Sequence, residues 1–215
     1  MPTFRDALTG LWERFRPEEL ATPEAFRRNP GLVWRWYRDR RLRLQAIEPN
    51  PGHHALVELE RRVPRFTLLT QNVDRLHARA GNREIVELHG NIATVSCFDH
   101  RHPAAEFPDT DAVPSCRICG SLLRPDVVWF GEMLPEGSLE RAYQATRSCD
   151  LFLSVGTSNL VEPAASLPWL AATSGATVLV VNTSMEGQRQ GPRIHHLEGP
   201  SGRILPALLR EAWPD

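Results

Sequence analysis

Long hydrophobic runs are missing from this chain, and no stretch approaches the ~20 apolar residues that cross a bilayer. The first residues, Met1-Pro2-Thr3-Phe4-Arg5, lack the charged and then apolar segments of a signal peptide. Both absences point to a cytoplasmic protein with no membrane partner. Neither sign of charge is in excess: the formal net charge is -1, which gives no electrostatic reason to expect nucleic acid. Cysteine is scarce, and four in 215 residues do not make a disulfide framework, so reduced thiols are expected. The absence of internal repeats and low-complexity segments argues against repeat architectures and disorder. What remains is ordinary for a globular protein, with 41% hydrophobic and 24% charged residues. The length fits one domain, alone or with a small insertion.

The 18 prolines and 14 glycines cut the chain into short elements. Thr22-Pro23-Glu24 reads as an N-cap with proline at the first helical position. Asn29-Pro30 repeats that signal before a longer helix over about 31–47, which ends ahead of Pro49-Asn50-Pro51-Gly52. The next helix, about 53–63, carries Ala55, Leu56, Leu59 and Val63 along one side, a face expected to pack on a sheet. Phe66 to Leu69 has strand character, as does Thr94 to Ser96. Residues 97–119 are polar and proline-studded, too poor in large apolar side chains to hold a core of their own. From Leu122 strands are expected at 127–130, 151–155 and 177–181, the last ending near Asn182. Helices near 139–147 and 163–172 separate them, and a final helix lies near 205–213. Unalternating apolar strands between helices predict an α/β fold with a parallel sheet.

Two polar clusters end two of the apolar runs. Thr70-Gln71-Asn72-Val73-Asp74 follows the first run, and His89-Gly90-Asn91 follows Ile85-Val86-Glu87-Leu88. Open α/β sheets bind ligands at such strand ends, and a histidine there can exchange protons near neutral pH. Cys116-Arg117-Ile118-Cys119 has the spacing that lets two thiolates meet one tetrahedral metal ion. A zinc ribbon used for protein or nucleic-acid binding, with no catalysis, is the alternative from another class.

The paired clusters, with Glu87-Leu88 before the second, resemble the signature of the sirtuins, the NAD-dependent protein lysine deacylases. Further matches are Pro2-Thr3-Phe4-Arg5-Asp6, Leu20-Ala21-Thr22-Pro23, Pro49-Asn50-Pro51-Gly52-His53, the run from Arg124 to Glu132, Gly156-Thr157-Ser158 and Val181-Asn182-Thr183. The resemblance implies a Rossmann-like NAD-binding domain over 1–10, 60–92 and 125–215, a helical module over 11–59 and a zinc-binding module over 93–124. It implies transfer of an acyl group from lysine to ADP-ribose with release of nicotinamide. His89 takes the place of the catalytic base. Phe4, Arg5, Gln71, Asn72, Val73, Asp74, Gly156, Thr157, Ser158, Asn182, Thr183, Ser184 and Ser201 fall at NAD-binding positions. Val127, Val128, Phe130 and Gly131 match the segment on which a substrate peptide adds as a strand. The implied partners are acylated lysine side chains of proteins, and the protein is expected to act as a monomer.

Zinc-bearing sirtuins usually supply four cysteines as two close pairs, whereas here Cys97 is followed by His100, with His102 as a neighbour. The expected ligands are Cys97, His100, Cys116 and Cys119. His102 in place of His100, or no metal, are the other possibilities. Cys149 precedes an apolar strand and is expected to behave as a small hydrophobe.

Tyr37 and Arg40 lie three apart on the long helix and can reach one face. From the residues alone a solvated basic face is the simpler reading, because Arg35, Arg38, Arg41 and Arg43 surround them. They resemble the tyrosine and arginine of class III sirtuins, which remove succinyl and malonyl groups, and Ala21 matches a small residue that leaves room for a longer acyl chain. Deacetylation alone is the alternative. The resemblance starts at Pro2-Thr3-Phe4-Arg5, where sirtuins have already completed a strand and a glycine-rich turn over the NAD pyrophosphate. The expectation on this count is a shortened, catalytically impaired sirtuin that binds NAD weakly.

Overall fold

The computed structural model describes residues 17–104, 108–157 and 160–214. Its first four helices each begin at a proline, α1 Pro17–Leu20, α2 Pro23–Arg28, α3 Pro30–Gln45 and α4 Pro51–Arg62, and in the last three that proline follows a small polar cap. Thr22 Oγ1 accepts the Ala25 N–H at 3.1 Å, and Asn29 Oδ1 accepts the Leu32 N–H at 3.1 Å. Asn50 Oδ1 accepts from Gly52 and His53, and His53 Nδ1 accepts the Asn50 N–H in return. This is a capping box closed by histidine. Beyond these come β1 (Leu68–Thr70), α5 (Leu76–Ala80), β2 (Ile85–Glu87), β3 (Gly90–Cys97), β4 (Pro103–Ala104) and β5 (Leu123–Val127). They are followed by α6 (Ser138–Ser148), β6 (Leu151–Val155), α7 (Leu167–Thr173), β7 (Thr177–Asn182), β8 (Ile194–Glu198) and α8 (Ser201–Ala212).

The chain divides into two compact units. The first takes the residues up to Ile47, with Asn72–Arg75 and His89–Pro135, and the second takes Glu48–Gln71, Leu76–Leu88 and Glu136 onward. In the second unit β1 pairs with β2, and β6, β7 and β8 form a sheet in that order, every pairing parallel. The apolar side of α4 contributes Ala55 to a cluster with Val181 of β7 and Leu205 of α8. In the first unit β4, β3 and β5 form an antiparallel sheet against α3. Leu20, Phe26, Val33, Trp36, Tyr37, Ile92 and Trp129 share one core there.

The polar segment 97–119 has no core of its own and borrows one. Trp34 of α3, fully buried, packs with Val95, Cys97, Cys116 and Leu123, and its Nε1–H donates to the Thr110 carbonyl at 2.8 Å. Arg38 bridges Asp109 and Asp111 beside it, so part of the arginine-rich face of α3 is paired with this segment.

Three expectations change. The apolar run 127–130 is not a strand of the parallel sheet: the strand is Leu123–Val127, and it pairs antiparallel with β3 in the first unit. The parallel sheet does not end at Asn182, because Ile194-His195-His196-Leu197-Glu198 forms β8 beside β7. α8 starts at Ser201, a turn earlier than its apolar periodicity suggests, and carries Pro206 inside it. No helix among the described residues is long and apolar enough to cross a membrane.

Candidate active site and metal centre

In the second unit the candidate residues lie at the carboxyl ends of the parallel strands. Thr70, buried, closes β1, and its carbonyl accepts the Leu88 N–H at 2.9 Å. Gln71 Nε2 donates to Thr157 Oγ1 at 3.4 Å, and Asn182 Nδ2 donates to the Thr157 carbonyl at 2.9 Å. The Gly156 N–H donates to the Val181 carbonyl at 2.9 Å and the Gly199 N–H to the Asn182 carbonyl at 2.8 Å, while Ser201 opens α8. Gly156 has φ +62°, and a Cβ built there meets nothing within 4 Å, so its backbone faces open space. Gln71, Gly156, Thr157, Asn182, Thr183 and Ser184 therefore lie at or just beyond the carboxyl ends of parallel strands, with Ser201 at the start of α8, the placement at which open α/β sheets carry ligand-binding residues. Phe4, Arg5 and Ser158 lie outside the described residues.

In the first unit backbone hydrogen bonds order the other candidates. The Ile92 N–H donates to Val73 O, the Val128 N–H to His89 O and the Phe130 N–H to Ala21 O, each at 2.9 Å. Gly90, between His89 and Asn91, has φ +68°, and a Cβ there would collide with the Asp126 carbonyl. Only glycine lets β3 start this close to β5, and that approach places His89 beside Val128. His89 is half-buried, Asn72 exposed and Asp74 half-buried, so polar side chains with exchangeable protons and lone pairs reach the surface here. Val127 is buried at the end of β5, whereas Phe130 is 52% exposed and Gly131 is open. The amides of Val128, Trp129 and Phe130 are bonded within the chain, and the Val127 and Trp129 carbonyls accept from Arg124 and the Glu132 N–H respectively.

On α3, Tyr37 is 2% exposed, and its hydroxyl accepts the Trp129 Nε1–H at 2.9 Å. Burial pushes the phenol well above its ordinary value and keeps it protonated. Arg40 lies over the Trp36 ring, 4.8 Å from its centroid, and burial lowers its pKa. A group missed from the sequence supports this cluster. Arg124, 1% exposed, stacks 3.3 Å from the Trp129 centroid and is bound by the Glu132 carboxylate, which also accepts the Trp129 N–H at 2.8 Å. Arg124 and Glu132 stand eight apart in the run compared with sirtuins, a spacing that gave no sign of their pairing.

The metal centre corrects one residue: Cys97, His102, Cys116 and Cys119 come together, not His100. The chain turns back after Cys97, with the Arg101 N–H donating to Cys97 O and the Cys97 N–H to His102 O. Arg101 at φ +57° closes that turn. His100 is left exposed at its tip, while His102 returns along the strand edge with Nδ1 3.5 Å from Cys97 Sγ and 3.8 Å from Cys116 Sγ. Cys119 Sγ is 3.7 Å from Cys97 Sγ. Zinc with bonds of about 2.3 Å sets tetrahedral ligand atoms about 3.8 Å apart, so this donor set fits it. The amides of Cys119 and Ile118 draw the Cys116 thiol down to about 6, toward the thiolate a metal needs. Four protein ligands leave no open position, so the zinc these residues would hold is structural. His102→Ala should release about one zinc per chain while His100→Ala keeps it, checked by metal analysis of both purified variants. The reverse result would restore His100 to the site. Cys149, half-buried, donates to the Thr146 carbonyl at 3.3 Å and packs near Phe152 and Ala171, as a small hydrophobe does.

A profile of the Sir2 family matches residues 1–163. The chain is 48% identical over 226 residues to NAD-dependent protein deacylase 1 of Pseudomonas aeruginosa, covering 100% of this chain and 89% of that protein. It also resembles the crystal structure of a Sir2 homolog–NAD complex, with TM-score 0.84 and 40% identity, covering 94% of this chain and 79% of the other. A structure of Sir2 bound to acetylated peptide matches with TM-score 0.80 and 27% identity, covering 90% and 83%.

Proposed function

The chain belongs to the Sir2 family of NAD-dependent protein deacylases, and we propose that within it this enzyme removes acidic acyl groups, succinyl and malonyl, as well as acetyl. NAD, when bound, would supply the ADP-ribose acceptor for the acyl group, with nicotinamide as its leaving group. His89, at the end of the segment before β3, would act as the general base toward a ribose hydroxyl. Asn72 and Asp74 hold the ribose and nicotinamide side through hydrogen bonds, with Val73 beside them anchored on Ile92. Gln71, Gly156, Thr157, Asn182, Thr183, Ser184 and Ser201 hold the remainder. Ala21, Val127, Val128, Phe130 and Gly131 serve the acylated peptide. The proposal extends to a cytoplasmic monomer whose partners are acylated lysines, and the near-neutral charge gives no reason to add nucleic acid to them.

The observation that carries the acyl preference is the inward pair on α3. Tyr37 is held protonated as a donor, and Arg40 is partly desolvated, which strengthens its attraction for a carboxylate. Arg40→Met should lower kcat/KM for a succinyl-lysyl peptide much more than for the acetyl-lysyl peptide of the same sequence. The expected difference is about 2 kcal/mol, or roughly thirtyfold. Equal losses on both peptides would make Arg40 a structural residue and leave deacetylation as the activity.

A further inference from the structure

Trp129 is fixed more firmly than a packing role requires. Its ring carries the Arg124 guanidinium on one face and lies 5.4 Å from Phe26, its amide is held by Glu132, and its side chain is 1% exposed. The indole N–H therefore points one way, and it points at the Tyr37 oxygen. Indole nitrogen can only donate, so Tyr37 must accept from it, and the phenolic proton is left to serve another acceptor. Trp36 limits the phenol from a second side, edge-on with centroids 4.6 Å apart, and the same Trp36 ring lies under Arg40.

We propose that Trp129 is a positioning residue for acyl specificity: by donating to the Tyr37 oxygen it aims the phenolic proton, with the Arg40 guanidinium, at an acyl terminus that can only accept hydrogen bonds, a carboxylate. The inference rests on the acidic-acyl reading of Tyr37 and Arg40. It extends the specificity apparatus from α3 to the segment after β5. Trp129 touches no reacting atom and acts only through the tyrosine.

The test replaces Trp129 with 3-benzothienylalanine, which exchanges the indole N–H for sulfur and keeps the ring shape, alongside Trp129→Phe. Each is made with Tyr37 intact and with Tyr37→Phe, and steady-state constants are measured on succinyl-lysyl and acetyl-lysyl peptides of one sequence. The analogue is expected to raise KM for the succinyl peptide roughly fivefold to tenfold more than for the acetyl peptide, with kcat little changed, and to add no selectivity in the Tyr37→Phe background. Equal effects on both peptides, or an undiminished effect without the tyrosine hydroxyl, would reduce Trp129 to packing. If Arg40→Met changes selectivity and the analogue does not, this inference alone fails. If neither changes it, the acidic-acyl reading fails as well.

Discussion

His89→Ala is expected to lower deacylation turnover by roughly a hundredfold to ten-thousandfold, the range a general base supplies. The loss should fall mainly on chemistry, because two contacts that shape this position do not depend on the imidazole. The His89 carbonyl accepts the Val128 N–H, and the close approach to β5 depends on Gly90, so both survive truncation of the side chain. His89 is half-buried, so its truncation removes less packing than truncation of a core residue would. Turnover with NAD and an acetyl-lysyl peptide, zinc content and thermal midpoint should be measured on the same preparation. Low turnover with unchanged zinc and midpoint fits a base. Full turnover would remove His89 from the mechanism, and a fall in all three would make it structural.

The elements legible in the sequence are those whose causes are local. Thr22 and Asn29 cap their helices because a short acceptor side chain ahead of a proline has few better uses, whereas Asn50 caps an α4 that begins two residues before the helix start expected from its apolar face. β6 and β7 lie within a residue of the expected spans because unbroken apolar runs between helices have little else to become. What was not legible depends on partners far along the chain. β5 reads Leu123-Arg124-Pro125-Asp126-Val127, and proline with two charges argues against a strand until Arg124 finds Glu132 and Ser96 Oγ donates to Asp126. β8 carries two histidines and a glutamate, so its apolar signal is thin, and only its place beside β7 makes it a strand. The choice between His100 and His102 turned on a left-handed residue at Arg101, a conformation no spacing rule anticipates. The site followed the same division: polar clusters at strand ends were visible as clusters, while the indole that holds Tyr37 looked like one more apolar residue.

Glu132→Ala is expected to destabilise the first unit by about 3–5 kcal/mol, more than any surface charge in the chain would, because it strands a buried cation. The side chains of Arg124 and Glu132 are 1% and 13% exposed. Once the carboxylate is gone Arg124 keeps the Val127 and Pro125 carbonyls and the Trp129 ring, none of which offsets a full charge. The Trp129 N–H loses its acceptor too, and Arg101, 3.1 Å from Glu132, loses a partner. Burial alone would raise the Glu132 carboxyl, but the Arg124 hydrogen bond, the Trp129 amide and the charges of Arg124 and Arg101 outweigh it and hold the pKa below the ordinary carboxylate value. The pair's contribution is therefore whole above the unfolded pKa and is lost as pH falls through the lowered folded value. Urea unfolding followed by tryptophan fluorescence reports on it, since Trp34, Trp36 and Trp129 are all buried in this unit. A lowered midpoint at pH 7 that converges on the parent's as pH drops below the ordinary carboxylate range is the expected result. A midpoint equal to the parent's at pH 7 would mean that Arg124 finds another counter-charge, and that the firm seat argued for Trp129 does not depend on this pair.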